Sequence, residues 1–200
     1  MKLTTKNLTH VLLTGAMACA ALAMLALGTG RATAQTTEPE AKADPNEITA
    51  IDILLEPDAT MVQHAEAVNE RLLKVFPKGF SLDASHRPHI TLVQRFVRTE
   101  NLDKVYAAVG KVFASANVTG LKLEAFKYYY IPDKELGLSG IVVKPTPELL
   151  KLEQAVIDAV TPFTVKTGTS AAFVTGDDPE VLPELITYVS DFVPKHSGEN

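Results

Sequence analysis

Residues 85–96 read Ser85-His86-Arg87-Pro88-His89-Ile90-Thr91-Leu92-Val93-Gln94-Arg95-Phe96. From His89 onward the pattern is that of a β-strand, with Pro88 at the entrance, where its missing N–H costs least. Residues two apart in an extended chain share a face. His89, Thr91 and Val93 are thus expected on one side, and Ile90, Leu92 and Gln94 on the other. An imidazole titrates near neutrality and can take or give a proton, and a neighbouring hydroxyl can donate to a phosphoryl oxygen. His89 and Thr91 together therefore suit gripping a phosphate and moving a proton beside it. A half-buried strand whose polar residues merely meet solvent has the same pattern, so the surrounding chain must decide.

Upstream, Ile48 to Leu55 (Ile-Thr-Ala-Ile-Asp-Ile-Leu-Leu) reads as a strand closed by Glu56-Pro57-Asp58. Asp58 is the expected N-cap of a helix running to about Phe76, with Met61, Ala65, Val68, Leu72 and Val75 on its apolar face. Pro77-Lys78-Gly79 ends it, and a loop from Phe80 to Arg87 leads into the His89 strand. Downstream, a helix is expected from about Asn101 to Ala116, its buried stripe formed by Leu102, Val105, Tyr106, Val109, Val112 and Phe113. Leu121–Ile131 and Leu138–Lys144 read as an antiparallel pair around Pro132-Asp133-Lys134-Glu135. Thr146 and Pro147 supply a cap and a first-turn proline for a helix to about Val160. Phe163 to Val174 reads as extended in part, and a short helix, roughly Val181 to Phe192, places Leu182, Leu185, Ile186 and Val189 on one side.

A shift of 88 residues lays Ile53-Leu54-Leu55-Glu56-Pro57 on Ile141-Val142-Val143-Lys144-Pro145. The match continues with Met61-Val62 over Leu149-Leu150 and Glu66-Ala67-Val68 over Gln154-Ala155-Val156. Strand, proline turn, capped helix and apolar stripe repeat in phase, which points to an internal duplication. Grammar shared by all capped helices accounts for part of the match.

The ends and the charge bound the class. Lys2 and Lys6 precede an apolar run from Val11 to Leu27, then Gly28, Gly30 and Ala32-Thr33-Ala34, so residues 1–34 read as a secretory signal cleaved before Gln35. An uncleaved anchor is the competing reading. The only cysteine, Cys19, lies inside that apolar run, so the mature chain has no disulfide, thiol nucleophile or cysteine-held metal. Residues 35–47, rich in Thr, Glu, Ala, Asp and Pro, read as a flexible linker. Removing the three bases of the signal leaves 16 Lys and Arg against 24 Asp and Glu, a formal charge of −8. An acidic protein is a poor partner for long nucleic acid, so any nucleotide it meets should be small. The expected location is periplasmic or secreted, with no stable membrane contact after cleavage.

Pro88-His89-Ile90-Thr91-Leu92, the strand–helix units around it and the 88-residue repeat resemble the 2H phosphoesterase superfamily over roughly Ile48 to the end. That superfamily includes proteins named as 2′-5′ RNA ligases and RNA 2′,3′-cyclic phosphodiesterases. The resemblance implies an α+β, bilobal fold in residues 48–200, with lobe 1 at about 48–120 and lobe 2 at about 121–200. Antiparallel sheets would line a central cleft with helices outside. In the family each lobe gives one His-x-Thr motif. One histidine acts as general base and the other as general acid in opening a cyclic phosphodiester, the threonines hold the phosphate, and neither metal nor cofactor is needed. By resemblance, His89 is catalytic, Thr91 binds phosphate, and the substrate is a small nucleotide or RNA-end cyclic phosphate. Whether hydrolysis or ligation is favoured, which substrate is used, and the oligomeric state stay open.

The chain departs from that pattern in having no second His-x-Thr. Counting as in the first lobe, the place for it is Asp177-Asp178-Pro179, and the chain then closes on Lys195-His196-Ser197-Gly198-Glu199-Asn200, a polar turn. The expectation is a second lobe truncated before its histidine, with impaired activity. The alternative is a non-catalytic phosphate- or nucleotide-binding or structural protein on the same scaffold.

Among other candidates, Arg87 could neutralise a phosphate at the cleft mouth, although loop arginines are ordinary. His86 reads as a loop residue rather than a metal ligand, since Pro88 splays it from His89 and no acidic third ligand lies in phase. His64 falls on the polar side of its helix. Tyr128 and Tyr130 share a face that either stacks a base or packs on a sheet.

Overall fold

The computed structural model describes residues 47–84, 86–132, 137–174 and 181–198. The expected export segment, nearly all of the linker, the turn at 133–136 and the stretch around Asp177 lie outside the described residues.

The chain is α+β, in the order β1 (Ile48–Leu55), α1 (Ala59–Val75), β2 (Ile90–Arg98), α2 (Leu102–Ser115), β3 (Ala125–Pro132), β4 (Gly137–Val143), α3 (Pro147–Val160), β5 (Thr164–Val165) and α4 (Pro183–His196). Antiparallel pairing builds a three-stranded sheet β1-β2-β5 and a separate hairpin β3-β4. In β1 burial alternates strictly. Thr49, Ile51, Ile53 and Leu55 are buried and the residues between them half-buried, as a strand with two different faces requires.

β2 does not keep that alternation. Ile53 pairs with Val93 but Leu54 pairs with Thr91, so Leu92 is an extra residue, a β-bulge. The bulge inverts the phase of the strand on either side of it. Val93 joins Ile53 on the core face, whereas Gln94, opposite Asp52, joins Thr91 on the other. The expected split, with Val93 beside His89 and Gln94 beside Ile90, is corrected accordingly. Leu92 and Val93 are both buried, at 1% and 0% exposure, which simple alternation forbids.

The Ile51–Ile53–Leu55 face packs with Val93 and Val97 against Val105 and Val109 of α2 and Leu152, Val156 and Val160 of α3 in one core. The opposite face carries Phe96, covered by Ala172 and by Val189 of α4, with Ala50, Val165, Phe173 and Ile186 around it. A Cβ on Gly168 would sit 2.6 Å from the Phe96 ring, so the bare backbone there lets the ring in. The sheet therefore has helices on both faces, rather than helices only on the outside. The core that holds α2 holds α3 as well.

Both capped helices start where the sequence places them. Asp58 Oδ1 accepts from the Met61 N–H at 2.8 Å, and Thr146 Oγ1 from the Leu149 N–H at 3.2 Å. Packing departs from the stripes in three places. None of the 17 residues of α1 is buried, and Leu72 and Val75 are 42% and 81% exposed; periodicity marks a face but not what covers it. Tyr106 is exposed rather than buried. In α4 the inward residues are Val189 and Phe192, while Leu182 and Leu185 are exposed. That helix also runs on through Pro194 to His196, where a polar turn is expected. Of Phe163–Val174, only Thr164 and Val165 form strand.

Candidate functional site

The site straddles the bulge where β1 and β2 meet, on the face opposite α2 and α3. His89 stands immediately before β2, and its Nδ1 is 2.7 Å from the Arg87 carbonyl oxygen. A carbonyl only accepts, so Nδ1 carries the proton and Nε2 of the neutral ring keeps its lone pair. Nε2 lies 4.0 Å from Asp52 Oδ2, with the His89 side chain 43% exposed. Thr91 Oγ1 donates to the same Asp52 oxygen at 3.3 Å, and Gln94 Nε2 donates to it at 2.8 Å. Histidine, threonine and glutamine thus converge on one carboxylate.

Asp52 was not legible as a site residue, although one signal existed: it is the only charged residue inside an otherwise apolar strand. Burial holds its carboxyl above the usual value of 3.8, opposed by the Gln94 bond, the charge of His89 and the Thr91 bond. Gln94 was placed on the wrong face, and only the bulge brings it in. Tyr188 of α4 is coupled to the site electrostatically: its phenol is pushed up by burial and, less, by Tyr129 and Asp52. Its ring stacks on His196 at 4.6 Å and meets Phe192 edge-on at 5.9 Å, residues four and eight further along the same helical face.

The loop before His89 is held from several sides. The Asn69 side chain of α1 donates to the Phe80 carbonyl at 2.8 Å and accepts from the Leu82 N–H at 3.0 Å. His86 bonds Asp83 through both its ring and its backbone N–H, and its ring meets Phe80 edge-on at 4.7 Å. It is a loop anchor. Arg87 forms an ion pair with Glu56 at 2.9 Å, tying the entrance of β2 to the exit of β1. His64 is exposed on α1. Tyr128 and Tyr130 are 66% and 64% exposed, so neither packs on a sheet. Tyr129, paired across the hairpin with Gly140, lays its ring on that glycine, where a Cβ would lie 2.2 Å away.

Among the described residues, no three His, Cys, Asp or Glu side chains come together as a metal-binding group, and no helix is long and apolar enough to cross a membrane. Compared with known proteins, the chain matches no family model, no curated protein and no solved structure.

Proposed function

We propose that this protein is an exported, 2H-like phosphoesterase acting on the cyclic phosphodiester of small nucleotides or RNA ends, without a metal. The observation that carries the reading is the fixed tautomer of His89. Its Nδ1–H is committed to the Arg87 carbonyl, which leaves Nε2 on the face it shares with the Thr91 hydroxyl. From there Nε2 takes a proton from water attacking the phosphorus while Thr91 donates to a phosphoryl oxygen. A positioned base contributes about 10²–10⁴-fold. The duplicated, bilobal architecture belongs to the same proposal. It is supported by two strand–proline–helix units whose caps, Asp58 and Thr146, stand 88 positions apart and bond in the same way.

Residues 35–200 carry one His-x-Thr, so for that segment protonation of the departing ribose oxygen falls to a weaker donor and turnover should be slow. The assay is phosphorus NMR of 2′,3′-cyclic nucleotides with the purified protein. Slow opening that His89→Ala abolishes and Thr91→Val weakens is the expected result. A rate unchanged by His89→Ala overturns the reading.

One observation weighs against phosphate at this site and favours the structural form of the non-catalytic alternative: the Thr91 hydroxyl is engaged by Asp52, and an ionised carboxylate repels a phosphate. Neither binding nor opening of the cyclic nucleotide would select it.

A further inference from the structure

Asp52 is bonded through one oxygen only. Oδ2 receives both Thr91 and Gln94, whereas Oδ1 is buried without a partner among the described residues. Gln94 repeats the asymmetry: its Nε2 donates to Asp52, and its Oε1 is likewise buried without a partner. Two unsatisfied acceptors on side chains already joined by a hydrogen bond are costly, at roughly 1–3 kcal/mol for each stranded polar group. A single proton on Oδ1, donated to Oε1 of the same hydrogen-bonded pair, would remove both deficits. It turns the carboxylate into a carboxylic acid that donates to the amide oxygen while still accepting from the amide N–H, a doubly bonded acid–amide ring.

We propose that Asp52 and Gln94 form such an acid–amide pair, and that a singly charged phosphodiester enters beside Thr91 and His89 together with the proton this pair holds. Asp52 is then a positioning residue that admits the anion. In its neutral form it no longer claims the Thr91 hydroxyl as a charge-assisted partner and no longer repels a phosphate. In its ionised form it does both. The anion half of this proposal rests on the reading of His89 and Thr91 given above; the proton half does not.

The other ionisable groups around Asp52 are few. From β2, His89 faces it at 4.0 Å, and Arg98 lies at the far end of the same face, opposite Ile48. From α4 the phenol of Tyr188 is coupled electrostatically to Asp52 and to Tyr129 of β3; Asp191 and Lys195 pair with each other at 2.7 Å. The Ser170–Ala172 turn that covers β1 brings no ionisable side chain. His89 is itself ionisable, so its effect on binding must be separated from that of Asp52.

Asp52→Asn makes the separation, because an amide at this position keeps both bonds to Gln94 and cannot ionise. In the free wild-type protein, the Asp52 side-chain carboxyl resonance, assigned by its loss in Asp52→Asn, should titrate above those of the exposed aspartates. Binding of 2′,3′-cyclic UMP, singly anionic over the range, is then followed from about pH 4 to about pH 8. Wild-type affinity should fall more steeply than that of Asp52→Asn, approaching a further tenfold per pH unit above the Asp52 midpoint. Above that midpoint the variant should bind more tightly. Titration of Asp52 among the surface aspartates, or the same pH dependence in both proteins, overturns the proposal. A raised Asp52 titration with no nucleotide bound by either protein sustains the acid–amide pair and rejects the phosphodiester reading.

Discussion

At the scale of single residues, the chemistry gathers on Asp52, which no motif marks. Its carboxyl titrates above the ordinary value chiefly because it is buried. The folded chain therefore holds this proton more tightly than the unfolded chain does. That contribution to stability is complete below the unfolded value of 3.8 and is lost as pH rises through the higher folded value. Asp52→Asn has no proton to lose. Its stability relative to wild type should rise across that window and then level off. Urea unfolding at a series of pH values checks this, and a constant difference between the two proteins would contradict it.

Secondary elements follow their local signals closely, and their packing does not. Asp58 caps α1 by bonding the Met61 N–H, yet the helix buries none of its residues. Its apolar stripe is only half-buried at Met61, Ala65 and Val68, so the cap carries a larger share of its stability than in a fully packed helix. Asp58→Ala should cost about 1 kcal/mol, while Leu72→Ser should stay within about 0.5 kcal/mol, as exposed substitutions do. Phe96→Ala, by contrast, opens a cavity at a residue 1% exposed and should cost about 3–5 kcal/mol. Urea midpoints of the three variants test this order. A large loss in Leu72→Ser would show that the end of α1 is covered in solution.

For the molecule as a whole, the three-stranded sheet is enclosed, with α2 and α3 on one face and α4 on the other, while the β3-β4 hairpin presents Phe126, Tyr128 and Tyr130 to solvent. Export belongs to this scale too. Produced with residues 1–34 in a Gram-negative host, the chain should reach the periplasm and begin at Gln35, since Ala32 and Ala34 suit the peptidase pocket. Intact mass of the periplasmic fraction decides it. Recovery only as a full-length membrane species would refute cleavage.

By itself the sequence determined what depends on near neighbours. The apolar alternation of 48–55, the caps at Asp58 and Thr146, the β3-β4 pairing and the placing of His89 with Thr91 two residues apart all act within a few residues. Only the tertiary structure decided what depends on partners distant in the chain. Leu92 bulges because of its pairing with β1, and that one residue swings Gln94 onto the face of Asp52. Tyr188 is coupled to Asp52 because α4 packs on β2, and the end of the α1 stripe, Leu72 and Val75, is exposed because burial is granted by a neighbour rather than by periodicity. A strand's pattern records which residues alternate, but register across strands sets which of them meet, and a one-residue slip reverses every face beyond it.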